Sequence, residues 1–225
     1  MGWAIAILIL GIAGDARAND CDSAHDAGTV NLERDTSEMI RIIGLQDSRP
    51  AAIYDAVANL YNNWAIDKDE AALTALLQLD PARLPVDARR LWTGDLARIA
   101  QETRDPAVAA RAESLFRAQL TSDDRDVRSE ALLGLADLAR HLKGESGRLE
   151  ALGAAVRAEP VAWNRVSALF RIEFIVKAEI RLNGPGPVSG RYIAWAGPFA
   201  LDLIERDPDA RVRRRAQTIL NFISR

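Results

Sequence analysis

The sequence predicts an all-α protein whose helices stack as an α-solenoid of about five antiparallel helical hairpins. Three observations carry that expectation. The chain of 225 residues holds 39 Ala against 11 Val and 7 Thr. Ala loses no side-chain entropy in a helix, whereas β-branched residues favour strands. Four acid–proline pairs, Asp80-Pro81, Asp105-Pro106, Glu159-Pro160 and Asp207-Pro208, each precede an apolar-periodic segment. Pro at the first helical position has its φ preset and lacks an N–H that would be orphaned there, while the acid before it complements the helix dipole. Finally, one motif recurs: Asp105, Val108, Ala112 and Leu115; Asp124, Val127, Arg128, Ala131 and Leu135; Asp209, Val212, Arg213, Ala216 and Ile219. Its acid caps, its Val begins an apolar stripe, and its small Ala admits a neighbouring helix, as a helix flanked on both sides requires.

Taken in chain order, residues 1–18 read as a secretory signal peptide. Residues 3–14 form a 12-residue apolar run, shorter than the roughly 20 residues that span a bilayer, and Ala16, Arg17 and Ala18 make an A-x-A cleavage signature. Cleavage after Ala18 places the mature chain in the periplasm or outside the cell, with no stable membrane insertion, although no Lys or Arg precedes the apolar run. Residues 19–30 read as a flexible mature N-terminus, 31–182 as a helical repeat array, 183–190 as a Gly/Pro hinge and 191–225 as a C-terminal helical hairpin. The periodicity predicts helices over 32–45, 50–65, 68–79, 84–102, 106–120, 125–142, 146–158, 161–182, 190–206 and 208–223. In the second, Ile53, Val57, Leu60 and Trp64 make one stripe; in the sixth, Val127, Ala131, Leu135, Leu138 and Leu142 make a longer one. Short connectors predict antiparallel neighbours. Residues 183–190 hold three Gly and two Pro and cannot continue a helix.

The repeated motif resembles HEAT repeats, particularly the short bacterial HEAT-like kind, most clearly over 105–142 and 207–223. The copies depart from the family pattern in that Val108 and Val127 lie only 19 residues apart, as successive helices of one hairpin would. Residues 31–80 lack the motif, and 149–160, with Ala155 five before Pro160, look more like a degenerate TPR. The resemblance implies a repeat protein whose usual use is to hold another protein.

Chemistry-bearing residues are few. With one Cys and two His, a disulfide framework and a zinc site of several Cys and His are excluded. Cys21 and His25, four apart among acids, could face one side of a helix and hold a copper or zinc ion; the plainer reading is a frayed N-terminus. His141 suits the last turn of a helix. No G-x-S-x-G, phosphate-cradling loop, H-E-x-x-H or calcium loop occurs. The sequence therefore predicts no enzyme, no cofactor and no metal. HEAT-like folds include alkylpurine DNA glycosylases, and Arg211, Arg213, Arg214 and Arg215 with five Trp invite comparison. A net charge of −3, a pI near 5.5 and the leader oppose nucleic-acid binding. A protein partner of unknown identity remains, recognised through the aromatic and Arg side chains that dominate interfaces. Arg191, Tyr192 and Trp195, following the Gly/Pro segment, are expected to be exposed contacts, and Arg213 and Arg214 to face solvent. Trp163, Val166, Phe170 and Phe174 are expected in the core.

Overall fold

The computed structural model describes residues 35–45, 48–141, 146–183 and 187–224. The leader, the 19–30 segment, Cys21 and His25 lie outside the described residues, as does the side chain of His141. The fold is all-helical. Its helices are α1 (Thr36–Gly44), α2 (Pro50–Asp67), α3 (Glu70–Gln78), α4 (Val86–Glu102), α5 (Pro106–Gln119), α6 (Arg125–His141), α7 (Ser146–Ala158), α8 (Ala162–Asn183), α9 (Pro187–Arg206) and α10 (Ala210–Ile223). A 3₁₀ turn occupies Pro81–Arg83, and no strand occurs among the described residues. Each helix matches one that the periodicity predicts; α9 begins three residues earlier than expected, on Pro187.

The acid–proline pairs work differently from the sequence expectation. At Asp105-Pro106 the proline does open α5, and Asp105 accepts a hydrogen bond from the Ala107 N–H at 2.8 Å. Pro81 opens only the 3₁₀ turn, and Pro160 and Pro208 stand two residues before α8 and α10. Asp209, not Asp207, caps α10, accepting from the Arg211 N–H at 2.8 Å. Glu159 and Asp207 are instead engaged by arginines of the preceding even-numbered helix, while accepting from the Val161 and Asp209 N–H groups.

Those arginines form a repeated device. Arg128 on α6 donates through Nε and Nη2 to both carboxylate oxygens of Glu159, at 2.9 and 3.1 Å. Arg165 on α8 does the same to Asp207, at 2.8 and 2.9 Å. Each also turns Nη1 back on two carbonyls of the loop before its own helix: Arg128 on Ser122 and Asp123, Arg165 on Glu159 and Pro160, and Arg213 on Asp207 and Pro208. On α4 the work is divided, Arg89 donating to the Leu84 carbonyl and Arg90 holding Asp124 through both oxygens. A planar, always-charged fork suits this double duty in a way that Lys does not.

The rungs follow the packing order. Helix α2 packs on α4, α4 on α6, α6 on α8 and α8 on α10, while α3, α5, α7 and α9 lie against this row from α2 to α10. The core runs through the contacts, with Leu60, Leu76, Trp92, Leu96, Phe116, Leu132, Leu138, Leu152, Leu169 and Ile219 fully buried. The motif's small residues Ala112, Ala131 and Ala216 are fully buried. A Cβ on Gly134, mid-α6, would stand inside the Phe116 ring of α5, so the glycine is required by packing.

Candidate interaction surface

The rungs set a common register for the even-numbered helices. Counting two residues before the carbonyl-binding arginine gives Asp87 on α4, Asp126 on α6, Trp163 on α8 and Arg211 on α10. None of the four is buried. Eleven residues further along each helix stand Arg98, Asp137, Phe174 and Phe222. Of these, Arg98 and Phe174 are exposed, Phe222 is half-buried and Asp137 is buried.

On α8 both positions are aromatic. Trp163, Phe170 and Phe174 fall at i, i+7 and i+11, one stripe along the helix, and they are 64%, 57% and 51% exposed. The expectation that they are core residues is overturned. The physical reason is that α8 carries two apolar stripes and buries only one: Ala168, Leu169, Ile172, Ile175 and Val176 face the neighbouring helices and fill the core. The aliphatic stripe shares its side with Arg165, whose pairing to Asp207 orients the helix.

Cations flank the stripe. The Arg171 guanidinium lies 5.6 Å from the Phe174 ring centre and that of Arg215 4.8 Å from Phe170, distances at which the ring quadrupole attracts a cation. Both arginines are anchored from behind. Arg171 donates to Asp137 at 2.6 Å, with Gln101 of α4 donating to the other oxygen at 2.6 Å. Arg215 donates to Glu173 at 2.7 Å, and Lys177 pairs with the same carboxylate. Asp137 and Glu173 are buried, so these pairs hold the guanidinium planes in place rather than leaving them to sample rotamers.

Of the residues singled out from sequence, Arg191 and Arg214 are exposed as expected, whereas Tyr192, Trp195 and Arg213 are placed otherwise. Tyr192 is 6% exposed and belongs to the buried stripe of α9 with Ala196, Phe199, Ala200 and Leu203, so it is a packing residue. Trp195 is half-buried and stacks on Phe199 with centroids 4.8 Å apart. Arg191 is exposed. Arg213 is half-buried with Nη1 engaged by the two carbonyls, and Arg214 alone of Arg213, Arg214 and Arg215 is exposed. The Tyr192 spacing of four, seven and eleven was already the period of a core stripe. Two apolar stripes on α8 were likewise legible as one more than a single helix face requires.

At the α4–α6 junction, Asp95 is 1% exposed, and burial pushes its carboxyl up to about 7 despite Arg98 at 3.2 Å. Burial also raises Glu130. The adjacent cleft, about 180 Å³, is lined by Gly94, Arg98, Gln101, Glu130, Asp137 and Arg171 among others, and Asp95 is not among the lining residues. Among the described residues, no group of three or more His, Cys, Asp or Glu side chains is placed to hold a metal ion, and no helix is long and apolar enough to cross a membrane.

No family model matches the chain, and no curated protein matches it. Among solved structures, an engineered protein determined by the Northeast Structural Genomics Consortium is similar over 84% of this chain and 96% of its own length, with 16% identity and a TM-score of 0.48. A second engineered protein from the same consortium covers 84% of this chain and 98% of its own, with 17% identity and a TM-score of 0.44.

Proposed function

We propose that this chain is an exported, non-catalytic helical-repeat scaffold, an α-solenoid of the HEAT-like kind, that binds another protein on the exposed face of its even-numbered helices. The observation that carries this reading is the aromatic stripe of α8. Burying Trp or Phe side chains is worth about 1.5–3 kcal/mol each, and leaving three of them in water along one helix is the pattern of an interface awaiting its partner. The flanking arginines supply the other side chain that dominates binding energy. They are already ordered by Asp137 and Glu173, so little rotamer entropy remains to be lost on binding. The repeated arginine–acid rungs support the solenoid reading, because each ties one repeat to the loop that begins the next.

The test is photo-crosslinking in the native host from a probe placed at Ser167, beside the stripe on α8. A discrete adduct that disappears when Trp163, Phe170 and Phe174 are all changed to Ser supports the reading. An adduct pattern indifferent to those changes defeats it. Mass spectrometry of the same samples reads the N-terminus: a chain beginning at Asn19 supports export, and one retaining residues 1–18 defeats it.

A further inference from the structure

Charge is divided unevenly along the array. Residues 35–141 hold 18 acidic and 13 basic side chains, a net −5. Residues 146–225 hold 8 acidic and 13 basic, a net +5. The small overall charge therefore conceals two opposed halves. Two residues before each carbonyl-binding arginine, Asp87 and Asp126 give way to Trp163 and then Arg211 from α4 to α10, with Asp87 and Asp126 sharing Arg90 and Arg211 pairing with Asp209. Helix α10 contains Arg211, Arg213, Arg214 and Arg215 and no acid.

The acidic half carries the complement of an aromatic stripe. A groove of about 800 Å³ opens between the N-terminal ends of α2 and α4, lined by Pro50, Tyr54 and Val86 together with Asp55, Asp87 and the Arg90 guanidinium 3.6 Å from Asp87. Tyr54 and Val86 are exposed. The groove contains Asp87, which occupies on α4 the position that Trp163 occupies on α8, so groove and tryptophan lie at the same level along their helices.

We infer that the polypeptide which covers the α8 stripe is a second copy of this chain, paired face to face about a two-fold axis parallel to the even-numbered helices near α6. The inference rests on the reading of α8 as a protein-binding face. Such an axis reverses the order of helices while keeping their level. It sets Trp163 of each copy against the α2–α4 groove of the other, and lays each basic α8–α10 half on an acidic α2–α4 half. An isologous contact of this kind closes at two subunits and makes every stripe–groove contact twice, which helps a modest patch approach the roughly 800 Å² per partner of a stable interface. A parallel stacking of copies would set like charges opposite one another. Extension beyond α10 is disfavoured too. Where the flank of α8 towards α10 reads Arg165, Leu169, Ile172 and Val176, the corresponding flank of α10 reads Arg213, Gln217, Leu220 and Ser224, with Gln217 and Ser224 exposed.

Sedimentation velocity of the purified chain decides the matter, run across a concentration series at low and high ionic strength. The expected result is a closed dimer whose dissociation constant weakens at least about tenfold as salt screens the opposed halves. Trp163→Asp with Phe170→Ser should give monomer, as should Asp55→Arg with Asp87→Arg. An equimolar mixture of those two variants keeps one intact stripe–groove contact and should recover dimer at higher concentration. All substituted positions are exposed, and an unchanged melting temperature certifies that each variant folds. A wild-type monomer throughout the series, a dimer insensitive to both variants, or mass that grows without limit would overturn the pairing. In the first two cases, loss of the host crosslink on stripe substitution would still leave the protein-binding reading of α8 standing.

Discussion

Asp95 and Gly134 show what single positions in a helix row can be made to do. Asp95 has one oxygen, Oδ2, buried without a hydrogen-bond partner, and its carboxyl titrates near 7 because burial disfavours the charge. In the unfolded chain an Asp titrates near 3.9. The folded state therefore binds a proton that the unfolded state releases, and the stability this contributes, fully present below about pH 4, is lost as pH rises through about 7. Asp95→Asn removes that loss. Its melting temperature should exceed that of the wild type by about 3 °C or more at pH 8, the shift produced by about 1 kcal/mol in a domain of this size. Thermal scans at pH 5 and pH 8 should show the gap widening with pH. Gly134→Ala tests packing. In an exposed helix interior this change would stabilise by about 1 kcal/mol; against the buried Phe116 ring it should destabilise by about 1–3 kcal/mol. Pairing it with Phe116→Leu should recover part of the loss, as read from urea unfolding.

At the scale of elements, α8 and α9 divide their aromatic residues in opposite ways. Tyr192→Ala should lower the melting temperature by several degrees, since it empties a core position of α9. Phe170→Ser and Phe174→Ser should leave it within about 2 °C, because each ring is more than half in water already. Differential scanning calorimetry of the three variants separates the two cases. Helix positions and class were legible in the chain because Ala content, proline punctuation and 3.6-residue periodicity act locally. The identity of the buried side of α8 was not, because it depends on long-range partners: Arg165 finds Asp207 42 residues away, and Asn164 finds the Arg125 carbonyl 39 residues away. The acids of two acid–proline pairs, Glu159 and Asp207, suffered the same limit. Glu159 reads locally as a helix cap, yet its carboxylate is held by an arginine on the neighbouring helix, 31 residues earlier.

Across the whole molecule, the rungs differ in burial and so in consequence. Arg165 and Asp207 are both buried, so Arg165→Met strands a carboxylate and should cost about 3–5 kcal/mol, whereas adding Asp207→Leu should restore most of it. Arg90 is more exposed, its guanidinium shared by Asp124 at 2.5 Å and Asp126 at 3.5 Å, and Arg90→Met should cost far less than Arg165→Met, because solvent screens an exposed pair. Chemical denaturation of the three variants ranks them. Asp124 adds an acid-side limit. The Arg90 hydrogen bonds hold its carboxyl down to about 2, so the stability it contributes is present above about pH 4 and lost as pH falls towards 2.

The reach of the rungs has a kinetic corollary. Arg90, Arg128 and Arg165 meet their acids 34, 31 and 42 residues downstream. Loop-closure entropy rises only slowly with length, and topologies built from near neighbours in sequence fold quickly. A chain delivered N-terminus first, as through an export channel, can thus close each rung once about forty residues beyond the arginine are free, before the C-terminus arrives. Vectorial folding, from α4 towards α10, is written into the spacing of its arginines and acids.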